Sequence, residues 1–278
     1  MSDWFDAGFA EGDEAADPRL EQYVRYHAGD GGRGSVVLIG VAHDHPASVA
    51  RVARVLDAVP PDVLALELPP LAVPLFRRYA DDEYVPPRLG GEMSAAIQTA
   101  EGARVAGIDG PNPAYLRLLL RRVIADGVSM SDVLEIAGDS LRGLGHALAC
   151  RAGASFGRLT SVTPKLYTHI AYDSASYDTP AAQARHERDH VDRRRSFLRV
   201  VELPRATALL DAVREESMAL RLTDLRATGD VVAVVGIEHL DALSERLGDD
   251  ASSARGDDAS STGQGASSTG GDGPIGGD

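Results

Sequence analysis

The sequence predicts an α/β fold, a mostly parallel central sheet with crossover helices. Three observations carry that prediction. Apolar runs of strand length recur over residues 35–41, 63–68, 104–108 and 231–235. Segments with helical spacing separate the first three, giving the order β-α-β-α-α-β, which calls for parallel strands joined by crossovers. Two of the runs also end alike: four apolar residues, then G-x-x-H, at Val36 to His43 and at Val232 to His239, each followed by helix character.

Each element has its own reason. Residues 1–33 are acidic and glycine-rich and read as a flexible segment, with local order only around 20–26. The run over 35–41 is continuous, as in a strand covered on both faces. Pro46 suits the first turn of a helix. Val49, Val52, Ala53 and Leu56 then follow at helical spacing, and Pro60-Pro61 stops the helix. Pro69-Pro70 cuts the second strand. A short helix over 71–80 is disturbed by Pro74, and 81–91 is a polar loop. Gly91-Glu92-Met93 opens a helix through Ala100, and the third strand runs into Asp109-Gly110. Helices are expected over 113–126 and 131–149. Residues 150–180, with Tyr167, Tyr172 and Tyr177, show no clean period. The charged stretch 181–199 reads as a solvated helix. Pro204 begins a long helix to about Arg226, with Leu209, Val213, Glu216 and Leu220 on one side. The last strand and a helix over 239–247 complete an α/β domain spanning 34–247, with a helical insertion around 113–226. From residue 248 the chain is Gly, Ser, Thr and Asp, a composition that reads as a disordered tail.

The bulk numbers narrow the function classes. With 278 residues, 44% of them hydrophobic, the chain has material for a sizeable core. Its formal net charge of −14 argues against nucleic acid and anionic membranes as partners. Lys165 is the only lysine, and an acid-rich, lysine-poor chain points to a halophilic setting. Cys150 is the only cysteine, so no internal disulfide forms; this fits a cytoplasmic protein. The acidic, broken start is unlike a signal peptide, and no apolar run approaches the roughly 20 residues of a membrane span.

Ligands of open α/β sheets bind at the carboxyl ends of the strands. His43, Glu67, Asp109 and His239 fall at that edge. Glu92 begins a helix, on the positive end of its dipole. Two imidazoles plus carboxylates form a donor set for a first-row divalent metal with a position open for water. His43, His239 and Glu67 are the expected ligands, and a remaining carboxylate is the general base. Gly40 and Gly236 are expected to turn the backbone sharply and admit a ligand. Glu67 is the most informative acid, because a carboxylate in an apolar strand is costly to bury unpaired. Its alternative is a solvent-facing edge position. Glu92 can equally be an ordinary helix-start acid, and Asp109 a turn residue. His45 reads as a helix-entry residue, His169, His186 and His190 as surface, and Cys150 as a small core residue.

The chain resembles the TraB/PrgY family, within the wider group that includes the TIKI proteins. Leu38-Ile39-Gly40-Val41-Ala42-His43 with Ser48-Val49 resembles L-I-G-T-A-H and its following S-V. Pro61-Asp62-Val63 with Leu66-Glu67-Leu68 resembles P-D-V-V-x-V-E-L. Gly91-Glu92-Met93 with Ala95-Ala96 resembles G-x-E-M-x-A-A. Ile108-Asp109 with Leu116-Arg117, then Arg214 with Met218-Ala219, and finally Val234-Val235-Gly236 with His239-Leu240, resemble the later motifs in order. The matches span about residues 35–245. The chain departs from the pattern at Gly110, Val213 and Glu238, and it lacks the C-terminal membrane region of many relatives.

The resemblance implies a metal-dependent hydrolase, peptidase-like, acting on a peptide or small-molecule substrate with manganese, cobalt or zinc. It implies His43 and His239 as metal ligands or catalytic groups, and Glu67 and Glu92 as ligand or base. Arg214 would pair with a carboxylate or polarise the substrate. The alternative it offers is a non-catalytic, peptide-binding regulator of the pheromone-shutdown type. A nucleotide-binding domain is the weaker third idea, since no glycine-rich phosphate loop follows a strand.

Overall fold

The apolar runs become the strands of one sheet. In the computed structural model, which describes residues 17–160, 164–167, 170–172, 179–200 and 204–248, there are five strands. They are β1 (Val24–His27), β2 (Val36–Val41), β3 (Val63–Leu66), β4 (Arg104–Gly107) and β5 (Val231–Gly236), in the order β1-β2-β5-β3-β4. The last four are mutually parallel, as expected, and β1 is an antiparallel edge strand pairing Val24 with Ile39 and His27 with Val36. β1 lies inside the stretch read as flexible. Its Val-Arg-Tyr-His sequence is too short and too polar to show a strand period. The rest of that reading, residues 1–16, and the tail at 249–278 lie outside the described residues, as do His169 and Tyr177.

Eight helices surround the sheet among the described residues. They are α1 (Pro46–Ala58), α2 (Val73–Ala80), α3 (Gly91–Thr99), α4 (Pro113–Ala125), α5 (Met130–Thr160), α6 (Pro180–Val200), α7 (Arg205–Arg226) and α8 (237–248). Proline starts helices here. Pro46, Pro74 and Pro113 all sit in first turns, so Pro74 opens α2 rather than disturbing it. Asn112 caps α4 by accepting the Tyr115 N–H at 2.9 Å. None of these helices is long and apolar enough to cross a membrane.

Alternate residues of the central strands face opposite sides. Val37, Ile39, Leu64, Leu66, Val232 and Val234 pack on α1, α2 and α3. Val36, Leu38, Val63, Ala65, Ala233 and Val235 pack on α7 and α8. Both faces are covered, which is why β2 and β5 read as continuous apolar runs. A satellite core of Tyr115, Leu119, Ile136, Ala206 and Val213 joins α4, α5 and α7.

Two helix faces differ from the sequence reading. Along α7, Val213 is buried but Leu220 is 51% exposed; Met218, Leu222 and Leu225 take the inner positions. The helix changes partner along its length, from the satellite core to the sheet, so its buried face shifts. The charged helix α6 is not solvated all round. Gln183, Ala184, Glu187 and Val191 are buried, at a spacing near four. Glu187 pairs with Arg51 of α1 where both side chains are 1% exposed.

Candidate active site at the carboxyl edge of the sheet

β2 and β5 lie side by side, yet the chain leaves β2 for α1 on one face and β5 for α8 on the other. That divergence opens a crevice at the strand ends, where open α/β sheets bind ligands. His43 stands two residues past β2 and His239 three past β5, so the topology brings the two G-x-x-H histidines to one edge.

His43 is held on three sides. Its Nδ1–H donates to Glu92 Oε1 at 2.6 Å, while Glu92 Oε2 accepts the Asp44 N–H at 2.9 Å. Its carbonyl accepts the Tyr172 hydroxyl at 2.9 Å. Asp44 adopts a left-handed φ of 60°, a conformation that Asp tolerates better than most residues, and takes hydrogen bonds from the Tyr167 hydroxyl and the Ile170 N–H. The aperiodic stretch around 164–172 thus buttresses the histidine. The hydrogen bond to Glu92, with that acid's charge and those of Glu67 and Glu238, holds the His43 pKa up at about 9 against burial. Among the described residues its Nε2 has no hydrogen-bond partner, and its side chain is 39% exposed.

A buried network fixes the approach to this residue. Arg51 donates to the Gly40 carbonyl at 2.7 Å and to Glu187; Ser48 accepts the Ala42 N–H at 2.8 Å and donates to Glu187. His45 caps α1 through the Ala47 N–H at 3.1 Å, the helix-entry role expected of it. Its Nε2 meets His186 Nδ1 at 2.9 Å. His186 and His190 are therefore half-buried groups of this wall rather than surface residues.

Glu67, Asp109 and Arg214 form a second cluster. Arg214 donates to both Asp109 oxygens, at 3.1 and 3.0 Å, and to Glu67 Oε1 at 2.8 Å. The arginine therefore pairs with carboxylates. Asp109 also accepts the Gly110 N–H at 2.7 Å, so it is a turn residue and a site residue at once. Glu67 Oε2 accepts the Gly236 N–H at 2.6 Å, and Oε1 lies 3.5 Å from His239 Nε2. Burial raises the Glu67 pKa, opposed by His239 and Arg214. His239 is buried, and its Nδ1–H donates to Glu215 Oε1 at 3.1 Å. Burial lowers its pKa, but the bond to Glu215 and the charge of Glu67 outweigh this, and the net shift is upward.

The two motif glycines do not make turns. Both are strand residues, and each is needed for space. A Cβ on Gly40 would stand 2.9 Å from Leu240, and one on Gly236 would stand 3.0 Å from the Glu238 carboxylate and 3.3 Å from Glu67 Oε2.

A cavity of about 180 Å³ adjoins His43 at the crevice, lined also by Tyr172, His190, Arg194, Ile237 and Glu238. Glu238, paired with Arg194 at 3.3 Å, is a site residue that the sequence reading missed; it counted only as a departure from the family pattern. No family model, curated protein or solved structure matches this chain. Both histidines carry a carboxylate behind Nδ1, the arrangement that orients a metal-bound imidazole. The Glu67 oxygens face Arg214, the Gly236 N–H and His239. Among the described residues no three His, Cys, Asp or Glu side chains form a group that could hold a metal ion.

Proposed function

We propose that the chain is a hydrolase of the TraB/PrgY kind, acting on peptide or comparable amide bonds in the cavity between His43 and Glu238. The observation that carries this reading is that one cavity, at the point where the β2 and β5 connections diverge, is lined by both an oriented imidazole and a carboxylate. In hydrolysis, Glu238 takes a proton from water as its oxygen bonds to the carbonyl carbon. His43, protonated while Glu92 holds its pKa near 9, gives a proton to the leaving nitrogen as the C–N bond breaks. Glu92 is a positioning residue for His43. Glu67, Arg214 and His239 hold the end of β5, from which Glu238 projects, through the bond from Gly236 N–H to Glu67.

A mixed peptide library incubated with the full chain and read by mass spectrometry tests the proposal. Cleavage is expected, and His43→Ala and Glu238→Gln each lower it by about 10²–10⁴-fold with circular dichroism unchanged. Tight peptide binding without cleavage would replace this reading by the regulatory one. A divalent ion, manganese, cobalt or zinc, is the alternative that the resemblance carries for this site: it would be held by a neutral His43 ring with His239, in place of the general-acid role. Its test is separate from turnover: metal content of the purified protein beside the His43→Ala/His239→Ala variant.

A further inference from the structure

Helix α5 carries an apolar stripe that the described residues leave bare. Leu134, Leu141 and Leu148 repeat every seven residues and are 68%, 67% and 52% exposed. Phe156 extends the line at 53%. Residues 141–146 are exposed on every side of the helix, and a Cβ on Gly138, Gly143 or Gly145 would meet nothing within 4 Å. A seven-residue apolar repeat on a 31-residue helix is the seam of a paired coil, and a stripe of this length calls for a partner.

We propose that the partner is a second copy of this chain, seated antiparallel on α5. Charge along the helix selects this partner. Glu135 and Arg142 stand beside Leu134 and Leu141 in the first half of α5. An antiparallel copy sets this acid against this base, whereas a parallel one sets like against like. Glu135 and Arg142 are seven residues apart and so flank the stripe on one side. Across a two-fold axis, Glu135 of each copy meets Arg142 of the other, so the pair forms twice. Arg142 is 76% exposed, with only Asp139 of its own helix beside it.

Other occupants fit less well. Residues 249–278 contain one large apolar side chain, Ile275. Residues 1–16 offer Trp4, Phe5 and Phe9, but also five acids and no base, so they complement only the basic part of the stripe. A helix with three acids is a poor match for an anionic membrane surface.

Sedimentation velocity of the full chain tests the proposal. The wild type is expected to sediment at twice the 29.3 kDa chain mass at micromolar concentration. Leu141→Glu is expected to sediment as a monomer with unchanged circular dichroism, since its side chain touches no core. Glu135→Arg and Arg142→Glu are each expected to weaken the dimer about tenfold, and the double variant to restore it. A wild type that stays monomeric overturns the proposal, including the case where the chain's own N-terminal segment covers the stripe. So does a Leu141→Glu variant that remains dimeric, or a double swap that restores nothing.

Discussion

The two strand-G-x-x-H units look interchangeable in sequence and do different work in the fold. After β2, His43 keeps one nitrogen on Glu92 and turns the other toward a cavity, with 39% of its side chain exposed. After β5, His239 is 6% exposed and both nitrogens face carboxylates. The difference arises from the segment that leaves each strand. β2 is succeeded by a loop framed by Tyr167 and Tyr172, whereas β5 runs directly into α8 beneath Glu67 and Glu215. One motif copy presents an imidazole, and the other binds the framework that carries Glu238.

The sharpest way to break this contrast is to remove the cation that serves the second unit. Arg214→Met leaves Glu67 buried beside Asp109 with no guanidinium, and should cost about 3–5 kcal/mol in urea denaturation. If stability barely moves, the β5 unit is not held by this cluster.

Next comes the pair of histidine truncations. His239→Ala strips partners from buried Glu67 and half-buried Glu215, and should cost about 1–3 kcal/mol. His43→Ala removes a partly exposed ring and should cost under about 1 kcal/mol while lowering turnover by about 10²–10⁴-fold. Equal losses of stability would erase the distinction between the two units.

A smaller effect separates the glycines. Gly40→Ala forces Leu240 to shift and should cost about 1–2 kcal/mol. Gly236→Ala should cost a similar amount, but by pressing on the Glu67 and Glu238 carboxylates, so it should also lower turnover, which Gly40→Ala should leave largely intact. Thermal melts and activity measured on the same samples distinguish them.

The smallest effect is in pH. The hydrogen bond to Glu92, with the nearby acid charges, raises the folded His43 pKa to about 9 from an ordinary 6.5. A raised pKa favours the protonated form, so its stabilisation is full below about 6.5 and fades as pH climbs through 9. Titration of the His43 ring by NMR should show a midpoint near 9, and Glu92→Gln should bring it back toward 6.5.

Much of this is legible in the sequence. Continuous apolar runs announce β2, β3 and β5 because both faces of a parallel sheet are covered; Arg214 comes only from the resemblance, as a partner for a carboxylate or a group polarising the substrate. Three features are not legible. β1 shows no period because its four residues sit half-buried at an edge. Glu187 is hidden within a charged run, since nothing local distinguishes an acid that meets Arg51 from one that meets water. Tyr167 and Tyr172 reach His43 and Asp44 from over a hundred residues away, through a segment with no repeat to read.

The position of β5 has a consequence for how the molecule comes into being. The last of the five described strands in chain order is the middle one of the sheet, and β2 and β3 are not joined until it slots between them. Until residue 236 has emerged, the nascent chain carries two open strand edges and half a crevice. Pairing at such long sequence separation is slow and exposed to misassociation. A chain stalled or cut before β5 should therefore clump rather than wait, and no partial product should display even the beginnings of activity.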